Sequence, residues 1–454
     1  MIPVQVSTTI PGPLSQGMVR RLKKTVPFAA YAGLYGICLK SARGVYLTDV
    51  DGNTFLDFLS GASTVSVGYG RKDIIEVYNQ TAVRLQHSCF CFSPNQEAID
   101  LAEKLAEITP GTYPKQVLFG LSGSDSVDAA VKIARRFTGK PRMIYFRRAY
   151  HGSTGFSIAM NGFGSLQEGL FLGEDCTRMD FPTTTTQAEW TIHQIQAAFK
   201  RGDIAGIVTE PVQGDGGNIV PPDGFHNSLI ELTRHYGGVF IADEIQSGMG
   251  RSGRWWGMET FGVTPDILCT AKAITSGYAP LSACIVPAEM ASCLGKSQHL
   301  FTYAGHPPTC AVARKVIDIV EQENLIQNAR ERGDQLIKGL QALIGRYSCA
   351  VDVRGKGLHV GFEVRDQANN FPLGGLFALR CVEKGLYPGY FGEANHVLRL
   401  HPPLIIRQAE IQFAIDVITS VVEEWESGHF SSDTIRRYKR NAFGLGDDQW
   451  LASQ

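Results

Sequence analysis

Residues 239–272 read VFIADEIQSGMGRSGRWWGMETFGVTPDILCTAK. Two short apolar runs, VFIA and ILCT, each end beside a group that is costly to bury. Asp243 and Glu244 follow the first, and Lys272 follows the second. A charge taken out of water needs a partner or must become neutral. Short apolar runs bounded by turns and helical stretches are the pattern of buried strands. The rhythm extends on both sides. QVLFG (116–120), MIYF (143–146), GIVTE (206–210) and SACIV (282–286) are further strand candidates. Strands alternating with helices predict an α/β fold with a mostly parallel sheet covered by helices. In such sheets the chemistry collects at the carboxyl ends of the strands. Here those ends lead to the loop after Gly120, to Tyr150, and to Glu210, Asp243 and Lys272.

Outside this region the pattern changes. GVYLTDVDGNTFLDFLSG (44–61) reads as a hairpin turning at Asp51-Gly52. IIEVYNQTAVRL and EAIDLAEKLAEI read as helices. After HLFTYAGHPPTCAVA a helical stretch runs on, and VDVRGKGLHVGFEV and VLRLHPPLII then supply strands. The expected organisation is an N-terminal segment (1–65) packing with the small domain and the pocket, a large domain (66–315) and a smaller C-terminal α+β domain (316–454). The polar tail, SSDTIRRYKRNAFGLGDDQW, is expected to lie loosely on the surface.

The 454 residues are 44% hydrophobic and 19% charged, with a net charge of −1. Without a long basic run, this balance argues against nucleic-acid binding. No apolar run is long enough to cross a membrane, and the N-terminus lacks a secretory signal pattern. Ten cysteines in so long a chain are no disulfide scaffold. Those in apolar runs (Cys269, Cys284, Cys381) read as reduced core thiols, which points to the cytoplasm. HSCFCF (87–92) lacks CxxC spacing and a second cluster, so no metal site is expected.

LSGSDSVDAAVKIARRF (121–137) reads as a strand-end loop entering a helix. Ser122 and Asp125 have capping-box spacing, and Val127, Val131, Ala134 and Phe137 form an apolar stripe. The N–H groups of Gly123, Ser124 and Asp125 would face out of the helix N-terminus, a place for a phosphate. Such a turn is more often only a cap, and no Walker lysine follows. In YHG (150–152), Tyr150 could stack on a flat ring or simply cover the sheet edge. Asp243 could hold a proton on a pyridine nitrogen or be an ordinary paired acid. A lysine in a dry place can act as nucleophile or base. Together these parts are what pyridoxal 5′-phosphate (PLP) needs.

The chain resembles the class III, PLP-dependent aminotransferases of fold type I. The likeness runs over roughly residues 40–420. It rests on SGSDSVDAAVKIAR, YHGST, EPVQGDGG, FIADEIQSGMGRSG, TPDILCTAKAITSGYAPLSA, HLFTYAGHP and LRLHPPL, in family order. The resemblance implies that Lys272 forms the internal Schiff base and Asp243 pairs with the pyridine nitrogen. It implies that Gln246 approaches the ring hydroxyl, Tyr150 stacks on the ring, and Gly123 and Ser124 hold the phosphate. Thr302 would reach the phosphate of the neighbouring subunit, which implies a homodimer with shared active sites. Glu210 and Asp215 would line the substrate side, and Arg399 matches the arginine that binds substrate carboxylates in many members. The freed Lys272 would move the α-proton, and an oxo acceptor would complete aminotransfer.

Two departures from the family pattern bear on substrate. Glu is the commoner residue at Asp215. Racemase and epimerase members also carry Asp there, where it is a candidate second base; as a partner for Arg399 it would instead be a gate. GHPP (305–308) replaces the usual GNP and makes His306 unusual. The segment PFAAYAGLYG (27–36) places Phe28, Tyr31 and Tyr35 where the family shapes its pocket. Aromatic walls suit apolar side chains or sugar rings. The chain also resembles the branch acting at the 6′ carbon of aminoglycosides in antibiotic biosynthesis. The expected substrates are therefore an aminosugar, with a slight lean towards it, or an amino acid, an ω-amine or a GABA-type amine. A non-catalytic relative would have lost Lys272 or Asp243. A dehydrogenase would need G-x-G-x-x-G, which GSD does not supply.

Overall fold

The computed structural model describes residues 2–30, 33–170, 172–173, 175–366 and 373–442. Its strands are β1 (Leu39–Arg43), β2 (Tyr46–Asp49), β3 (Thr54–Phe58), β4 (Lys115–Gly120), β5 (Arg142–Phe146), β6 (Cys176–Met179) and β7 (Ile204–Thr209), followed by β8 (Val239–Asp243), β9 (Ile267–Thr270), β10 (Ser282–Pro287), β11 (Ala350–Lys356), β12 (His359–Val364), β13 (Leu386–Phe391) and β14 (Val397–Leu400). One seven-stranded sheet has the order β4-β10-β9-β8-β7-β5-β6. Its strands are parallel except β10, which runs antiparallel to both β4 and β9. Every residue of β7, β8 and β9 is buried. Burial on both faces is why these strands read as unbroken apolar runs rather than alternating ones.

The second sheet, β1-β2-β3-β13-β14-β12-β11, draws on both ends of the chain. It is antiparallel except where β13 lies parallel to β3. The β2–β3 hairpin turns where expected, with Gly52 at φ +89°. Asp51 in this turn also accepts the N–H groups of Leu14 and Ser15 at 2.7 and 2.9 Å, capping the helix Pro13–Thr25.

The helix Gly123–Thr138 covers the parallel sheet with Val127, Val131 and Ala134, all fully buried. Phe137, expected on the same stripe, is 41% exposed, because the helix ends two residues later at left-handed Gly139. The tail is also tighter than expected. Residues 432–442 form a helix that buries Thr434 and Tyr438, and Arg437 pairs with Glu383 at 2.6 Å. Tyr35, expected near the pocket, is instead a core residue. Its hydroxyl donates to the Pro388 carbonyl at 2.6 Å and its ring packs on Tyr387 and Tyr390. All ten cysteines carry free thiols, with Cys89 and Cys91 Sγ 3.5 Å apart. No described helix is long and apolar enough to cross a membrane.

Candidate active site

The carboxyl ends of the parallel strands open onto a cavity of about 330 Å³. Gly123 and Ser124 after β4, Tyr150 after β5, Glu210 after β7, Asp243 on β8, Gln246 beyond it and Lys272 after β9 all line it. The fold thus gathers residues spread over 150 positions of sequence, each delivered by a strand that burial holds rigid.

The end of the cavity at Ser122–Ser124 is built by the capping box. The Asp125 carboxylate accepts the N–H groups of Leu121 and Ser122 at 2.8 and 3.0 Å. The Asp125 N–H turns back to the Ser122 hydroxyl at 3.4 Å and is therefore not offered outward, contrary to expectation. The N–H groups of Gly123 and Ser124 have no partner within the described residues. A side chain at Gly123 would collide with Ile245, and one at Gly152 with the Ser124 hydroxyl, so the cradle is cut to backbone size.

Asp243 is 3% exposed. Its Oδ2 lies 2.7 Å from His151 Nδ1, and its Oδ1 accepts the Ile245 N–H at 3.1 Å. The second ring nitrogen of His151 is buried and has no hydrogen-bond partner among the described residues. His151 had no assigned role in the sequence, although it sits inside the quoted YHG. Glu210 accepts from the N–H of Tyr150 at 3.1 Å and of Gly214 at 2.9 Å, tying the two loops together. Burial, partly offset by His151, pushes its carboxyl up to about 7. The Tyr150 hydroxyl meets Ser153 Oγ at 3.0 Å.

Lys272 has left-handed backbone, φ +45°, a strained state for a residue with a side chain and one met at functional positions. Its amine forms no hydrogen bond with the described residues. Burial holds it below the ordinary lysine range, against the pull of Asp215. That favours the neutral amine that a nucleophile or base requires.

Asp215 and Arg399 stand behind Gln246. The Gln246 amide donates to Asp215 Oδ1 at 3.0 Å, and Arg399 makes a short ion pair with the same oxygen. Burial raises the Asp215 pKa, but Arg399 and Lys272 outweigh it and hold the carboxyl below its usual range. Arg399 is 1% exposed, and its guanidinium lies 3.3 Å from the centre of the Phe391 ring. Gln246 Oε1 is buried and without a partner. Thr302 is exposed and does not line this cavity. Tyr31 lies outside the described residues. His306 occupies the N-cap position of the helix Pro307–Gln322 without a side-chain cap bond, its Nδ1 2.9 Å from Thr309 Oγ1, with the His87 and Tyr303 rings about it.

The fit to PLP is therefore testable on the residues themselves. A backbone-sized anion cradle, an acid at a strand end, an orphaned amide oxygen and a lysine held by burial below its ordinary range face one cavity. Among the described residues, no group of His, Cys, Asp and Glu is placed to hold a metal ion.

Comparison with known proteins agrees. The profile of the family described as "Aminotransferase class-III" matches residues 29–422. An alanine/serine racemase of Pyrococcus horikoshii is 32% identical, with 92% of each chain covered. A 4-aminobutyrate aminotransferase of Mycobacterium leprae is 30% identical over 93% of this chain and 98% of its own. Among solved structures, an amine transaminase from an uncultivated Pseudomonas species in its PLP-bound form superposes with a TM-score of 0.79 at 30% identity, covering 88% of this chain and 96% of that one. The chain belongs to the class III aminotransferases, PLP-dependent enzymes of fold type I that act on small amine and oxo substrates.

Proposed function

We propose that the chain is a PLP-dependent aminotransferase whose amine substrate carries a carboxylate, docked on Arg399 once Asp215 gives way. The observation that carries this reading is the buried Arg399–Asp215 pair beside Gln246 and Lys272. A buried guanidinium is a fixed, forked receptor for a carboxylate. Its pairing with Asp215 keeps it neutralised until such a ligand arrives, so that a second, uncharged substrate meets no naked cation.

In this reading Gly123 and Ser124 hold the cofactor phosphate, Tyr150 covers the ring, Asp243 holds a proton at the ring nitrogen and Gln246 faces the ring hydroxyl. When bound, PLP supplies the electron sink that makes a carbon-bound proton acidic. Lys272 carries the covalent attachment and, once released, moves that proton. His151 orients the Asp243 carboxylate through its 2.7 Å contact. Glu210 holds the Tyr150 and Gly214 backbones in place. Thr302, exposed and absent from this chain's own cavity, is assigned in this reading to the cofactor phosphate of a second copy. The reading thus includes a homodimer.

A second reading is racemisation or epimerisation at the amine carbon. It is favoured by Asp215 itself, a carboxylate electrostatically coupled to Lys272 and released from its cation when a carboxylate substrate takes Arg399. The released acid would become a stronger base and, with Lys272, would give the amine carbon two proton carriers. An aminoglycoside is compatible with the site because Asp215 pairs with the buried Arg399 guanidinium, which would otherwise repel a polycation.

The deciding experiment offers amino acids, ω-amines and aminoglycosides singly to the holoenzyme. Aminotransfer is expected to convert the cofactor to its amine form with a carboxylate-bearing donor. Solvent deuterium incorporation with inversion and no oxo product would establish the second reading instead. Asp215→Ala sharpens the choice. Under aminotransfer it retains the half-reaction and binds carboxylates more tightly, whereas under racemisation it loses inversion.

A further inference from the structure

The chemistry above uses Arg399 and Asp215 but not the two histidines beside them. His359 on β12 and His401 just past β14 are fully buried, their ring centroids 4.4 Å apart. Leu400 pairs with Val360 and Arg399 with Gly361. Strand alternation therefore puts Arg399 and His401 on one face of the sheet, two residues apart.

His401 is held from four directions. Its N–H donates to the Phe58 carbonyl at 2.8 Å. Its own carbonyl accepts the Ser60 hydroxyl at 2.5 Å. Its ring Nδ1 lies 2.6 Å from Ser63 Oγ, and its Nε2 lies 2.7 Å from Asn218 Nδ2. An amide nitrogen can only donate, so Nε2 accepts and the ring proton sits on Nδ1, donated to Ser63.

Both ring partners lead to the active site. Asn218, in left-handed backbone at φ +54°, closes the loop that starts at Glu210 and carries Asp215; its N–H reaches the Gly214 carbonyl at 3.1 Å. Ser63 ends a run of left-handed residues, Ser60–Ser63, that delivers Thr64 to the cavity. Such backbone is unfavourable for residues with side chains and persists only where contacts enforce it.

We propose that His401 is a positioning residue, whose imidazole pins the Asp215 loop to the Ser60–Ser63 turn and so sets how Asp215 meets Arg399 and how readily a carboxylate replaces it. The proposal rests on the reading of Arg399 as the carboxylate receptor. Burial, with His359, Arg399, Arg251 and Lys272 nearby, holds His401 well below the usual histidine range. A neutral ring at this spot adds no charge to compete for Asp215. Burial likewise holds His359 well below that range, so the ring facing His401 adds none either.

The test compares holoenzyme variants on a matched pair of amine donors, one with an α-carboxylate and one without. His401→Leu removes both ring bonds. It is expected to raise KM for the carboxylate donor about tenfold, the usual scale for a group that orients a binding residue. The donor without the carboxylate keeps its KM. His401→Gln, whose amide can still meet Asn218, recovers most of the effect, and Ser63→Ala gives a partial loss without touching the ring. Equal loss for both donors, or no change in the KM ratio, overturns the proposal. Arg399→Ala is measured alongside. If it alone shifts the ratio, only the His401 proposal falls; if it too leaves the ratio unchanged, the carboxylate reading falls and takes this proposal with it.

Discussion

The cavity is lined mainly from the strand ends of the parallel sheet, while the antiparallel sheet places Arg399 behind Gln246 and outside that lining, and the polar groups of the two regions are held differently. On the parallel side, Lys272 has no hydrogen-bond partner among the described residues, His151 keeps an orphaned nitrogen, and the Gly123 and Ser124 N–H groups stay open. Rigid strand ends hold these groups apart, ready for a ligand. On the antiparallel side Asp215 and the His401 ring are paired, although the His359 ring and Arg399 Nε keep no hydrogen-bond partner among the described residues. Arg399 pairs with Asp215, His401 with Ser63 and Asn218, and Arg354 with the Gly217 carbonyl at 2.8 Å. A ligand entering there must break a bond that already exists. Open groups accommodate a cofactor that stays, whereas closed pairs discriminate among substrates that come and go.

That contrast is easiest to break on the parallel side. Lys272→Ala is expected to abolish turnover, by about 10³-fold or more, because in the proposed reading Lys272 is both the attachment point and the proton carrier. Purified wild-type protein should be yellow, and the variant should lose its colour on gel filtration in the presence of a competing amine. Activity in a variant that still holds cofactor covalently would place the attachment elsewhere. Asp243→Asn comes next. Loss of the buried charge that faces the cavity is expected to lower kcat by about 10²–10³-fold, the scale of a lost electrostatic stabiliser, with KM nearly unchanged. A drop confined to KM would assign Asp243 to substrate binding.

The smallest effect tests the frame of the parallel side. Glu244 accepts from the Ser247 hydroxyl and from the Gly257 and Met258 N–H groups at 2.6–2.8 Å. Burial pushes its carboxyl up to about 7, from 4.5 in the open chain. A raised carboxyl stabilises the fold fully below the unfolded value, and that contribution is lost as pH rises through the folded one. The stability advantage of wild type over Glu244→Gln is therefore expected to be larger at pH 5 than at pH 8, by about 1–3 kcal/mol. Melting curves of both proteins at the two pH values measure it, and an advantage that grows with pH would show the carboxylate, not the acid, to be the folded form.

The same division explains what could be read from the chain. Asp243 and Lys272 were legible because each interrupts a buried apolar strand, and a charge in that setting stands out locally. The capping box at Ser122 and Asp125 was legible from its local three-residue spacing at the start of a helix. The pairing of Arg399 with Asp215 spans 184 residues, and no local periodicity encodes which strand register brings them together. Family likeness suggested the pair, and the fold alone showed its geometry. The contact of His151 with Asp243, 92 residues away, left no sequence signal beyond its place in YHG. Strand β13 was missed because LYPGYF carries Pro and Gly, which ordinarily argue against a strand. It is tolerated there as the junction between β3 and β14. Tyr35 looked like a pocket wall because an aromatic cluster reads alike in a core and in a cleft.

The central claim, that the antiparallel side selects a carboxylate through Arg399, is tested most directly by one ratio. KM is measured for matched amine donors with and without an α-carboxylate, in wild type and in Arg399→Ala. Loss of one partner of a buried charge pair is costly, and KM for the carboxylate donor is expected to rise by about 10–100-fold while that of its partner stays within about twofold. Equal changes for both donors, or a lower KM for the carboxylate donor in the variant, would contradict the account.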